Sequence, residues 1–224
     1  YEYLGMTISF SNHASPDLRA EDIEERASLA FQAPGLGWDL SPTYDHLGYY
    51  EALNGREYCY HFWGYSLLCV IPYFLLKAFN ILPLKVFLMT NTLLVLLLLW
   101  WILFNTNLSN KAKYWLLLVT MVSPMCLYIP WPHPEVFSFV FLFIGLLEVM
   151  NNRKFLASVF IAVASLQNPA IIVVNVFLLV GEIWENRKIT NLSWYISSSF
   201  IIASLPYVFY WLNYRKLSLI TDTF

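Results

Sequence analysis

Between residues 93 and 104 the chain reads LLVLLLLWWILF, twelve positions without one charge. A bilayer explains such a run, because its hydrocarbon core takes about 20 apolar residues per helix and hydrates no backbone group. The run has company. YWLLLVTMV occupies 114–122, and apolar stretches recur at roughly 64–79, 85–104, 115–130, 136–150, 155–184 and 194–212. Only 12% of residues are charged, and the mean hydropathy is +0.55, so a soluble core does not account for the pattern. The fold expected is all-α, a polytopic helical membrane protein with at least six membrane segments. The segment 155–184 is too long for one straight span. Asn168-Pro169 should break it into two short helices, since proline removes a helical hydrogen bond and disfavours helix at the residue before it.

Charge is distributed against this background. Residues 1–60 hold ten of the fifteen acids (Glu2, Asp17, Glu21, Asp22, Glu24, Glu25, Asp39, Asp45, Glu51, Glu57) and only Arg19, Arg26 and Arg56 of the thirteen Lys/Arg. The division expected is therefore the end of a transmembrane helix over 1–10, an acidic extramembrane loop with short helices over 11–62, a helical bundle over 63–212 and a following loop over 213–224. The chain reads as a piece of a longer protein. No basic patch or finger suggests nucleic acid. Cys59, Cys69 and Cys126 have no metal-ligand or CxxC spacing.

Inside the loop, Ser15-Pro16 before DLRAEDIEERASLAF predicts a helix with Ser15 near its cap and Asp17, Glu21 and Asp22 in its early turns, where the dipole favours acids. Residues 32–50 read as loop, punctuated by Pro34, Gly35, Gly37 and Pro42, and GYYEALNG (48–55) as a short helix closed by Asn54-Gly55.

Three longer stretches carry a family likeness. YDHLGYYEALNGREYCYHFWGYSLLCVIPYFLL (44–76) resembles the junction of first loop and second span in the GT-C superfamily, membrane glycosyltransferases of the protein-mannosyltransferase kind. SPMCLYIPWPHPEVFSFVFLFIGLLEVM (123–150) is similar to their Ser-Pro segment followed by an acid that opens the next helix. KFLASVFIAVASLQNPAIIVVNVFLL (154–179) looks like their paired short helices, with Gln167-Asn168 where a lysine is common.

The resemblance implies a polyprenyl-phosphate-linked sugar donor, a lipid, glycan or protein acceptor, and one aspartate in the first external loop as catalytic base. Asp17 is the candidate, lying shortly after the presumed first span, and its plain alternative is a helix-capping role. Asp45 and Asp22 are close rivals, with Asp45 also a candidate second carboxylate that orients the acceptor. Such a base takes the acceptor's proton as its oxygen attacks the anomeric carbon and the lipid phosphate departs. Arg56 and His61 are positioned to contact that phosphate, a guanidinium giving the charge-assisted bond a phosphate favours; interfacial anchoring is the bland reading for both. His133 and Glu135 flank a proline at the mouth of a span, and Glu135 is equally the first-turn acid of the helix it opens. No metal and no cofactor is expected.

Orientation is contested within the sequence. The implied chemistry places residues 11–60 outside the cytoplasm, on a multi-pass protein of a bacterial inner membrane. The basic loops NKAK (110–113), NRK (152–154) and NRK (186–188) favour the cytoplasm, and three apolar segments separate Asp17 from Glu135. Two other classes stand beside the enzyme: a transporter, since broken helices also mark carrier sites, and a non-catalytic membrane assembly protein.

Overall fold

The computed structural model describes residues 2–31 and 48–219, the side chains of 30 and 31 excepted. Nine α-helices are found among them: α1 (Glu2–His13), α2 (Ala20–Phe31), α3 (Gly64–Ala78), α4 (Val86–Phe104), α5 (Asn110–Val122), α6 (Glu135–Met150), α7 (Lys154–Ser165), α8 (Ile172–Asn186) and α9 (Asn191–Tyr214). Among the described residues, three helical stretches are long and apolar enough to cross a membrane: Pro83–Phe104, Pro169–Asn186 and Asn191–Tyr214. The break read at Asn168-Pro169 falls where α7 ends and a 3-10 turn, Pro169–Ile171, leads into α8.

The all-α expectation omits a small antiparallel sheet. Strands β1 (Asp17–Leu18), β2 (Tyr49–Glu51) and β3 (Glu57–Cys59) lie in the order β1-β3-β2, with Asp17 opposite Tyr58 and Leu18 opposite Glu57. Two local predictions fail here. GYYEALNG is not a helix: its tyrosines form β2, and Asn54-Gly55 makes the hairpin turn, with Gly55 at φ 73° and the Arg56 N–H donating to Asn54 Oδ1 at 3.0 Å. Ser15 does not cap α2. Helix α1 closes on Ala14 at φ 56°, Pro16 follows, and Asp17 and Leu18 are drawn into the sheet, so α2 starts only at Ala20. Its cap is made from inside, where the Asp22 carboxylate accepts the Arg19 N–H at 2.9 Å.

The chain divides into two compact units, 1–90 with 206–224, and 91–205. In the first, α1 packs along α3 through small residues. Ser66 Oγ donates to the Tyr3 carbonyl at 3.1 Å, and a Cβ on Gly5 would strike the Tyr49 hydroxyl. The end of α9 is tied to the sheet in the same unit. Tyr210 donates to the Cys59 and His61 carbonyls at 2.8 and 2.7 Å, and Tyr214 to the Tyr50 carbonyl at 2.6 Å. These long-range bonds join the described part of the acidic segment to α3 and the end of α9.

In the second unit α6 lies against α7, and a Cβ on Gly145 would sit 2.7 Å from Ile161 Cγ1. Asn175 on α8 donates to the Ser158 carbonyl at 2.8 Å and to Ser199 Oγ at 3.1 Å. Helix ends are closed by buried acids. Glu148 Oε1 accepts from Trp101 Nε1 at 2.9 Å and Asn151 at 3.1 Å, and Oε2 lies 3.3 Å from Arg153. Glu182 takes Lys154 at 3.0 Å, Asn186 at 2.7 Å and Thr190 at 3.1 Å.

Candidate active site

Asp17 leaves the end of α1 on strand β1, and its side chain is buried, the residue being only 2% exposed. Its two oxygens have different surroundings. Oδ2 accepts from Arg19 Nε at 3.0 Å. Oδ1 has no hydrogen bond; Arg56 lies 3.8 Å away and His13 Nδ1 3.7 Å away. An ionised carboxylate has about four lone-pair sites, so a buried oxygen left unbonded is an anomaly that asks for a partner.

The sheet register sets up the cations. With Asp17 opposite Tyr58 and Leu18 opposite Glu57, the next step of the ladder brings Arg19 towards Arg56, at the end of the hairpin turn. Both line a cleft of about 550 Å³, together with Asp17, Leu18, Ala20, Ile23, Gly55 and Glu57. Their side chains remain 41% and 53% exposed, so each guanidinium keeps donors for something outside the protein. Burial alone would raise the Asp17 carboxyl. Hydrogen bonds from Ser15 and Arg19, and the positive charge of Arg19, outweigh it and hold Asp17 below the usual carboxylate range.

Asp22 is a different kind of group. It is fully buried and saturated: Oδ2 accepts from Ser9 Oγ at 2.9 Å and the Arg19 N–H at 2.9 Å, Oδ1 accepts from Asn12 at 3.0 Å, and His13 Nε2 stands 3.0 Å from Oδ2. With both oxygens bonded, Asp22, a rival candidate for the base in the sequence, is placed as an internal brace that orients its neighbours.

His61 shares this unit but not the cleft. Its ring stacks on Tyr3 at 5.2 Å and leans on Tyr60 at 4.0 Å, and it is not among the cleft-lining residues. Aromatic packing fixes it. His133 and Glu135 fall in the second unit, both exposed: His133 beside Trp131 with ring centroids 6.1 Å apart, and Glu135 as the first residue of α6, where a helix dipole favours an acid. Asp45 lies outside the described residues. Among the described residues, no group of three or more His, Cys, Asp or Glu is arranged to hold a metal ion.

The structure thus brings Asp17, Asp22 and Arg56 together and adds two residues that the sequence did not single out, His13 and Arg19. A signal for His13 was present: acids stand four and nine positions after it, across a Ser-Pro turn. One turn along α2, Glu25 receives Tyr73 at 2.8 Å and Lys77 at 2.6 Å. Burial opposes its ionisation, but the bonds from Lys77, Asn12 and Tyr73 and the Lys77 charge keep Glu25 below the ordinary range.

Compared with protein families, curated proteins and solved structures, the chain matches none.

Proposed function

We propose that this chain is a multi-pass membrane glycosyltransferase, of the GT-C kind that its sequence resembles, which moves a sugar from a lipid-phosphate donor to a lipid, glycan or protein acceptor. The observation that carries the reading is Asp17 itself: a buried carboxylate with one unbonded oxygen, at a cleft flanked by two half-exposed guanidiniums. An acceptor hydroxyl gives its proton to Asp17 Oδ1 while its oxygen bonds to the anomeric carbon. The carbon–phosphate oxygen bond breaks, and the lipid phosphate leaves with the electron pair. Arg19 and Arg56 stabilise the charge gathering on that phosphate, which planar guanidinium donors suit.

Depth supports the same reading. A lipid-linked phosphate rides at the headgroups, so its base belongs on a short tether at a helix end, and Asp17 follows the last residue of α1 by four positions. We place the acidic segment on the extracytoplasmic side of a bacterial inner membrane, where a lipid-carried donor replaces a soluble nucleotide sugar. Glu135 has no part in this reading: α3 and α5, with 15 and 13 residues, are shorter than the roughly 20 a crossing takes, which leaves α4 as the one crossing between it and Asp17, an odd number. The assay is transfer from a polyprenyl-phosphate-linked sugar by the purified protein in detergent. Transfer that depends on Asp17 supports the reading, and equal turnover by Asp17→Asn overturns it.

A further inference from the structure

His13 sits at the last turn of α1 between two buried carboxylates, and each ring nitrogen faces one of them. The two sides differ. Nε2 is 3.0 Å from Asp22 Oδ2, a hydrogen bond; Nδ1 is 3.7 Å from Asp17 Oδ1, which is not one. Asp22 is an acceptor on every side, so the ring hydrogen belongs on Nε2 and points to Asp22. The neutral ring then turns a lone pair on Nδ1 towards Asp17. Both atoms of that pair, Nδ1 and Oδ1, are buried without a hydrogen-bond partner. Two lone pairs facing each other in a buried place leave room for one proton between them.

We propose that His13 is a positioning residue that acts through Asp17: it accepts, at Nδ1, the proton that Asp17 takes from the acceptor hydroxyl, while Asp22 holds the ring and balances the imidazolium that forms. This inference rests on the transferase reading of the same cleft and extends it from one carboxylate to a relay.

The chemistry explains why a relay is wanted. Two arginines near a carboxylate suit the departing phosphate, yet they weaken the carboxylate as a base, and Asp17 is held below the usual range by Arg19 and Ser15. A general base works best when its affinity for a proton matches the operating pH. An imidazole behind the carboxylate restores that match without removing the arginines. In the step itself, the acceptor O–H bond breaks and its proton reaches Oδ1. It then moves from Oδ1 to Nδ1 over a gap that a small carboxylate rotation closes, and Nε2–H stays on Asp22. Solvent takes the proton from Nδ1 after the products leave, which restores the neutral ring.

The charged groups shown beside the ring lie on several elements. Asp17 faces it from β1, Asp22 from α2, and Arg19 from the turn between them; Arg56 reaches Asp17 from the hairpin, and Asn12 of α1 links Asp22 to Glu25. A ring already protonated before the reaction has no place for another proton, so activity falls toward acid. Removing the ring leaves Asp17 alone and shifts that fall to lower pH.

Two measurements test this. Selective ¹⁵N-histidine labelling of the protein in detergent, with the His13 signals assigned by their loss in His13→Gln, reports the tautomer without any activity. The hydrogen is expected on Nε2. A neutral ring with its hydrogen on Nδ1 donates to Asp17 and overturns the relay. In the transfer assay, His13→Gln keeps an amide near the Nε2 position to hold Asp22 but has no basic nitrogen. It is expected to lower kcat by about 10–10²-fold with KM retained, and to move the acid limb of kcat/KM to lower pH. An unchanged limb and kcat overturn the proposal. Full activity of Asp17→Asn would instead strike the transferase reading, and the tautomer result separates the two failures.

Discussion

Both units of the molecule bury carboxylates, and they treat them differently. Glu148 in the second unit bonds Trp101 and Asn151 through one oxygen and leaves the other, without a hydrogen bond, 3.3 Å from Arg153, while Glu182 holds Lys154, Asn186 and Thr190; these contacts close helix ends. Asp17 in the first unit has one oxygen matched and one unmatched, with cations that turn their spare donors into a cleft. Burial alone therefore says little about the task of an acid. What distinguishes Asp17 is that the cations beside it, Arg19 and Arg56, are half exposed and line a cleft. Asp22, one turn into α2, shows the contrast within a few ångströms of Asp17, since it is as buried but fully bonded.

The comparison can be broken from either side. The largest effect short of removing the base is expected from Arg56→Ala. It should lower kcat/KM by about 10²-fold, because the departing phosphate loses a donor, with the melting temperature almost unchanged, since the side chain is half exposed. An Arg56→Ala enzyme of normal turnover removes the cleft from the mechanism. On the other side, Glu148→Ala strands the Trp101 and Asn151 donors and the Arg153 charge, and is expected to cost about 2 kcal/mol of stability by chemical denaturation. Turnover per folded molecule should stay at the wild-type level. Gly145→Val should cost a comparable 1–3 kcal/mol, roughly, by forcing α6 off Ile161 and the Ala157 carbonyl.

The smallest effect concerns Glu25, whose carboxyl is held low by Lys77, Asn12 and Tyr73 against the opposing pull of burial. A carboxyl lowered in the folded state adds stability above its unfolded value of about 4.3 and loses it as pH falls through that region. Unfolding midpoints of the wild type and Glu25→Gln are therefore expected to differ at neutral pH and to converge toward pH 3. A gap that persists in acid shows that the α2–α3 staple does not depend on the charge.

The sequence was legible where the physics is local. Apolar runs located the long helices, and Asn168-Pro169 marked the joint between α7 and α8, since proline acts on its own turn. The sheet was not legible. Its strands are two or three residues long, and β1 finds its partner some forty residues away, so pairing and not propensity creates it. That pairing also took Asp17 out of the predicted helix and set it opposite Tyr58, with the Arg56 side chain 3.8 Å from its carboxylate. Asp17 and Arg56 were named from loop position and charge; His13 and Arg19 were not, because their partners lie across a turn that starts from a left-handed alanine. The sequence position of His61 at the interface does not reveal the rings of Tyr3 and Tyr60 that pack against it.

The central claim is that Asp17 is present for chemistry and not for the fold. Asp17→Asn, assayed for transfer from a polyprenyl-phosphate-linked sugar and for thermal unfolding in the same preparation, tests it most directly. The account predicts a loss of about 10²–10⁴-fold in kcat with the unfolding transition retained. An Asp17→Asn protein that transfers sugar at the wild-type rate, or one that loses its cooperative unfolding together with its activity, contradicts it.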